Sequence, residues 1–204
     1  MDAHAWDERY AATELVWSRE PNQFVAAELA DLPPGRAVDL AAGEGRNAIW
    51  LASLGWSATA VDFSQVALDT GERLARSAGL EVTWVRADAT TWRPPEPVDL
   101  VVIAYLQVPA DARRRAVRGA VESLAAGGTL LVVAHDSSNL TEGTGGPQDP
   151  TVLMTADDVV GDLAGLDVEV LRAERVAREV TSADEHGGDE RRTAWDCLAR
   201  VVRR

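Results

Sequence analysis

The segment Val38–Ala52, VDLAAGEGRNAIWLA, combines an acid, two glycines in G-x-G spacing and the start of a helical pattern. Gly43 and Gly45 permit close approach of a ligand to the backbone, and a helix N-terminus behind them offers N–H donors and positive potential. GEGRNA also fits G-x-G-x-x-A, a variant of the dinucleotide fingerprint. Three acids narrow the choice of ligand. Asp39 precedes the loop, where a pyrophosphate would be repelled and an ammonium or sulfonium group attracted. Asp62 ends the apolar run AVDF, the place of a ribose-binding acid. Asp88, in RADAT, can accept from an adenine amino group. A ligand with adenine, ribose and a cationic end satisfies all three.

Further along, His135 and Asp136 end another apolar run, and Tyr105 ends IAYL. These three can orient or deprotonate an acceptor. His135 is the best general base, because His4 and His186 are expected in mobile segments. A histidine simply hydrogen-bonded within the following loop is the competing reading. The N-terminal arm carries Trp6, Arg9, Tyr10 and Trp17, which fit either a lid over the site or a plug on the end of a sheet. Trp50, Trp56, Trp84, Trp92 and Trp195 read as packing residues, with a place near the ligand as the alternative for Trp50.

The whole chain is consistent with such a site. It has 204 residues, and 46% are apolar, enough for one substantial core. Its formal charge is −13, which disfavours a nucleic-acid surface or an anionic membrane as partner. Lysine is absent and all non-histidine cations are arginine. The single cysteine, Cys197, excludes an intrachain disulfide and reads as a packed small hydrophobe. The acidic start MDAHAWDERY lacks a secretory apolar core, and no apolar run is long enough to span a bilayer. A cytoplasmic protein is the expectation. No metal-ligand spacing is evident, and nothing in the pattern speaks to oligomeric state.

Strand and helix signals alternate along the chain. Strands are expected at 37–42, 57–63, 81–88, 98–106 and 129–136. Helices are expected from Asn47 to Gly55, from Ser64 to Gly79 with Ala67, Leu74 and Ala78 on its inner face, and from Pro109 to Gly127–Gly128. Gly71 allows close approach of the second of these. A polar loop over 137–155 precedes a short helix near 156–165, with Thr155 and Asp158 as a capping pair. Residues 167–180 and 192–203 form an antiparallel hairpin. This order predicts a doubly wound, mostly parallel seven-stranded α/β sheet with a C-terminal antiparallel hairpin. It would be a single domain over 1–204, with 1–34 an N-terminal lid or helix segment and 35–204 the cofactor-binding core.

DLAAGEG, AVDFS, RADAT and the terminal hairpin together resemble the class I S-adenosylmethionine-dependent methyltransferases. In the general first motif D-x-G-x-G-x-G, Asp39, Gly43 and Gly45 match, and Ala41 replaces the first glycine. The GRN continuation and the WDERY…VWSREPN start resemble the small-molecule branch of tellurite-resistance and thiopurine-type enzymes. The resemblance implies S-adenosyl-L-methionine as cofactor. It would be held by Asp39, Ala41, Gly43, Gly45, Asn47 and Trp17, with Asp62 and Phe63 at the ribose and Asp88 and Ala89 at the adenine. Ala104 and Tyr105 would lie beside the transferring methyl. IAYLQVP lacks the N/D-P-P-Y/F pattern of enzymes that methylate base amines, so a small-molecule acceptor is expected. The competing functions are an NAD(P)-dependent oxidoreductase, weakened by Asp39 and the hairpin, and a non-catalytic cofactor-binding protein.

Overall fold

The structure is a computed structural model that describes residues 20–183 and 189–204. His4, Trp6, Arg9, Tyr10, Trp17 and His186 therefore lie outside the described residues, as does the part of the N-terminal lid segment before Glu20. Seven strands make one sheet: β1 (Arg36–Leu40), β2 (Ser57–Asp62), β3 (Thr83–Arg86), β4 (Val98–Ala104), β5 (Leu124–His135), β6 (Val168–Ala183) and β7 (Asp189–Arg203). Their order across the sheet is β3-β2-β1-β4-β5-β7-β6. The first five are parallel, and β7 enters antiparallel between β5 and β6. The reversed β7 separates this sheet from the mostly parallel dinucleotide-binding order.

The central strands are apolar on both faces, as a sheet covered on both sides requires. Successive residues of β4 show it: Leu100 and Val102 pack with Val25 and Leu29 of α1 (Gln23–Leu29) and Ala48 and Leu51 of α2 (Arg46–Ser53). Val101 and Ile103 pack on the opposite side with Ala116, Val117, Ala120 and Val121 of α4 (Ala110–Glu122). α3 (Gln65–Ser77) covers β2 and β3, and a short α5 (Asn139–Glu142) and α6 (Ala156–Asp162) follow β5.

Local chemistry sets the helix starts. Asn22 Oδ1 accepts from Phe24 N and Val25 N at the head of α1. Ser64 Oγ accepts from Ala67 N at the head of α3. Thr155 and Asp158 form the expected capping box on α6. Asp162, at the end of α6, is buried with Arg113 at 2.7 Å and also meets Arg114 at 3.2 Å, joining α6 to α4.

Three expectations are corrected. The buried face of α3 is Ala67, Leu68, Gly71 and Ala75, with Ala78 exposed. A Cβ on Gly71 would stand 2.5 Å from the Trp84 ring and 2.6 Å from Glu44 O, so the close contact at Gly71 orients the helix. α4 ends at Glu122, and β5 begins at Leu124, ahead of Gly127–Gly128. Gly128 is tightly enclosed there by Ala125 O and Val98 O, which explains the glycine without a helix end. The 137–155 segment is not plain loop: it holds α5, a 3-10 turn at Pro150–Val152 and a bridge between Asp136 and Met154.

Candidate active site

The glycine turn leaves the carboxyl end of β1. Ala41, Gly43 and Gly45 all have positive φ, at 59°, 56° and 73°. At Gly45 there is no room for a side chain, since a Cβ would meet the Trp84 ring at 2.5 Å. Ala41 adopts the left-handed region although it carries a Cβ, a strained conformation of the kind found at ligand sites.

Asp62 fastens this turn. Its Oδ2 accepts from Gly43 N at 2.8 Å and its Oδ1 from Ser64 N at 2.9 Å. The acid therefore joins the end of β2 to both the glycine loop and the cap of α3. Phe63 beside it is half-buried, and its carbonyl accepts from Arg86 Nε at 3.3 Å. At the end of β3, Asp88 is exposed, and its Oδ1 takes both Thr90 N and Thr90 Oγ1. That turn buries Ala89.

Asp39 is buried beneath the glycine turn. Burial pushes its carboxyl up to about 7, against the opposing effects of the Ala48 N–H, Arg46 and Asn47. A buried acid with this balance is short of positive charge. A ligand ammonium supplies it, so the residues present fit the cofactor that the sequence implies.

From Asp39 a polar chain crosses the edge of the sheet. Asn47 contacts Asp39 and accepts from Asn22 N at 3.0 Å. Asn22 Nδ2 donates to Tyr105 Oη at 3.3 Å. Tyr105, with φ 60°, follows Ala104 at the end of β4, and its hydroxyl donates to Asp196 Oδ2 at 2.8 Å. Burial, reinforced by the Asp196 charge, raises the phenol well above its usual range, so Tyr105 keeps its proton. The His135 ring lies 4.8 Å from the Tyr105 ring. Arg178 Nε donates to Asp196 Oδ2 at 2.7 Å.

The sequence-derived residues thus divide. Asp39, Ala41, Gly43, Gly45, Asn47 and Asp62 meet around the turn, while Ala104, Tyr105 and His135 meet at the ends of the adjoining β4 and β5. Asp136 is engaged in a turn: its Oδ1 accepts from Ser138 N at 2.9 Å and Ser138 Oγ at 2.7 Å. Asn22, Arg178 and Asp196 escaped the sequence reading. The one signal for Asp196 is a lone acid inside the apolar strand TAWDCLARVV. Cys197 beside it is buried, as expected, and burial raises its thiol to about 12. Among the described residues no cluster of His, Cys, Asp and Glu could hold a metal, and no helix is long and apolar enough to cross a membrane.

Residues 37–128, which span the glycine turn and all three strand-end acids, match the family model described as a methyltransferase domain. Over these residues the chain is similar to methyltransferase domains. No curated protein matches the sequence of this chain. Its fold is similar to a structure solved for the conversion of a disulfide bond into a thioacetal group during echinomycin biosynthesis. That likeness has a TM-score of 0.74 and 21% identity, over 98% of this chain and 92% of the other. It is similar also to the N-methyltransferase NodS from Bradyrhizobium japonicum WM9, solved with S-adenosyl-L-homocysteine. There the TM-score is 0.72 and the identity 19%, over 100% of this chain and 99% of NodS. A third is TehB from Haemophilus influenzae, with a TM-score of 0.70 and 18% identity over 90% of this chain; the match spans only 63% of the TehB chain. At these identities the likeness is one of fold.

Proposed function

We propose that this protein is a class I S-adenosylmethionine-dependent methyltransferase and methylates a small-molecule acceptor: a thiol, a hydroxyl, a heterocyclic nitrogen, or an oxyanion of selenium or tellurium. The observation that carries this reading is a juxtaposition. The glycine turn after β1, Tyr105 after β4 and His135 at the end of β5 occupy the carboxyl ends of three adjoining strands. A cofactor side and an acceptor side then share one edge, the arrangement needed for alignment of two reactants. The chain's charge of −13 favours a small acceptor over a nucleic acid.

S-adenosylmethionine, when bound, supplies a methyl group activated on a sulfonium for in-line displacement. The chain's own residues have simpler tasks. Asp39 faces the cationic end from beneath the turn. Asp62 holds the turn in shape beside the ribose with Phe63, and Asp88 and Ala89 border the adenine. Ala104 lines the space next to the methyl. His135 accepts the proton that a neutral acceptor releases as its lone pair bonds to carbon. Tyr105 keeps its own proton and serves as a donor and wall. NodS, solved with the demethylated cofactor product, supports the cofactor assignment by its shared fold. A buried free cysteine fits a reducing cytoplasm.

The test is transfer of labelled methyl from S-adenosylmethionine to pooled small thiols, phenols, heterocyclic amines and chalcogen oxyanions, with products identified by mass. Methylated product from one class supports the reading. Cofactor binding without transfer to any class would point instead to a non-catalytic binding protein.

A further inference from the structure

One buried acid at this edge stands apart from the sequence motifs. Asp196 is 0% exposed and sits on β7 directly opposite His135 in the antiparallel register with β5. Its Oδ2 is engaged by two donors, Tyr105 Oη and Arg178 Nε. Its Oδ1 faces His135 Nδ1 at 3.2 Å. No hydrogen bond joins them, and both atoms are buried without another partner. Two unsatisfied buried polar atoms at this separation are costly, and a hydrogen on Nδ1 directed at Oδ1 would satisfy both.

The surrounding charges leave Asp196 as the natural partner. Tyr105 and Arg178 both point to its other oxygen. Asp136 is occupied by Ser138, and Arg175 is drawn to Glu142 and to the face of Trp195, 4.1 Å away. His135 N–H donates to Gln107 Oε1, which fixes the backbone and leaves the ring to be oriented separately.

We propose that Asp196 is a positioning residue that holds the His135 ring with the proton on Nδ1, leaving Nε2 free as the base toward the acceptor. This rests on the reading that His135 receives the acceptor's proton. A neutral imidazole has one donor and one acceptor nitrogen. An ionised carboxylate can only accept, so the nitrogen facing it carries the hydrogen. Asp196 is ionised: burial opposes this, but the hydrogen bonds and charge of Arg178, with the Tyr105 hydroxyl, help to hold the carboxyl below its usual range.

The test is the imidazole tautomer, read by long-range proton–nitrogen correlation NMR on nitrogen-15-labelled full-length protein. With three histidines in the chain, His135→Gln identifies the signals. The neutral wild-type ring should be predominantly the Nδ1–H form. In Asp196→Asn the amide oxygen must still satisfy Arg178 and Tyr105, so its NH2 faces Nδ1. The ring should then convert to the Nε2–H form while the fold is retained by circular dichroism. A predominantly Nε2–H ring in the wild type, or an unchanged tautomer in folded Asp196→Asn, overturns the proposal. If that variant does not fold, the wild-type tautomer decides alone. The measurement uses neither cofactor nor acceptor, so its failure is distinct from a failure to detect methyl transfer.

Discussion

Asp62 Oδ2 holds Gly43 N at 2.8 Å, so the acid at the end of β2 shapes the glycine turn that follows β1. Its removal has two effects that a ribose contact alone would not have. The turn loses its anchor, and Ser64 loses a partner at the cap of α3. Asp62→Ala should weaken binding of S-adenosylhomocysteine by roughly 1.5–3 kcal/mol, the range for a charge-assisted hydrogen bond. It should also lower the melting temperature of the ligand-free protein. Calorimetric titration and thermal melts check this. Unchanged affinity in a folded variant would remove Asp62 from the site.

Asp39 makes cofactor binding depend on pH. Its carboxyl lies near 7 in the folded protein, raised from 3.8 by burial. Between those values the folded chain keeps a proton that the unfolded chain has released. Ligand-free stability therefore falls as the pH rises through that window. A ligand ammonium favours the ionised form, so affinity should rise from pH 5.5 toward pH 8, by up to about tenfold per unit below the titration point. Asp39→Asn should bind more weakly and lose that slope. Titrations across the range check this, and an identical slope in the variant would assign the dependence to another group.

Ala41 tests the strain in the turn. Its φ of 59° is a conformation that glycine adopts without a steric penalty. Ala41→Gly should therefore stabilise the protein, by about 0.5–1 kcal/mol once the greater freedom of unfolded glycine is set against the relief. Urea unfolding measures it. Destabilisation by the same amount would mean that packing of the Ala41 methyl outweighs the backbone.

Asp162 tests the coupling of α6 to α4. Its carboxylate is buried against Arg113 and also meets Arg114. Asp162→Ala leaves the Arg113 guanidinium buried without its partner and should cost about 3–5 kcal/mol. Chemical denaturation reads the loss, and a change below about 1 kcal/mol would show that solvent reaches Arg113 readily.

What the sequence made legible was local. Asp39, Gly43 and Gly45 lie within seven residues, and the caps at Ser64 and Thr155 depend on neighbours three residues on. The acids at strand ends followed from strand–helix alternation. The acceptor side was less legible because it is assembled across the sheet. Tyr105 meets Asp196 across 91 residues, and Asn22 meets Tyr105 across 83. The Tyr105–Asp196 contact exists only because β7 inserts between β5 and β6, an order that no short pattern encodes. The face of α3 was misjudged for a related reason: Trp84, from a neighbouring strand, sets which side of Gly71 is inward.

The turn at Asp39–Gly45 is expected to receive S-adenosylmethionine. Isothermal titration of the full-length protein with S-adenosylhomocysteine and, separately, with NADH tests it most directly. Saturable binding of S-adenosylhomocysteine at one site per chain, weakened in Asp39→Asn, is expected, with little or no binding of NADH. Tighter binding of NADH than of S-adenosylhomocysteine would contradict it.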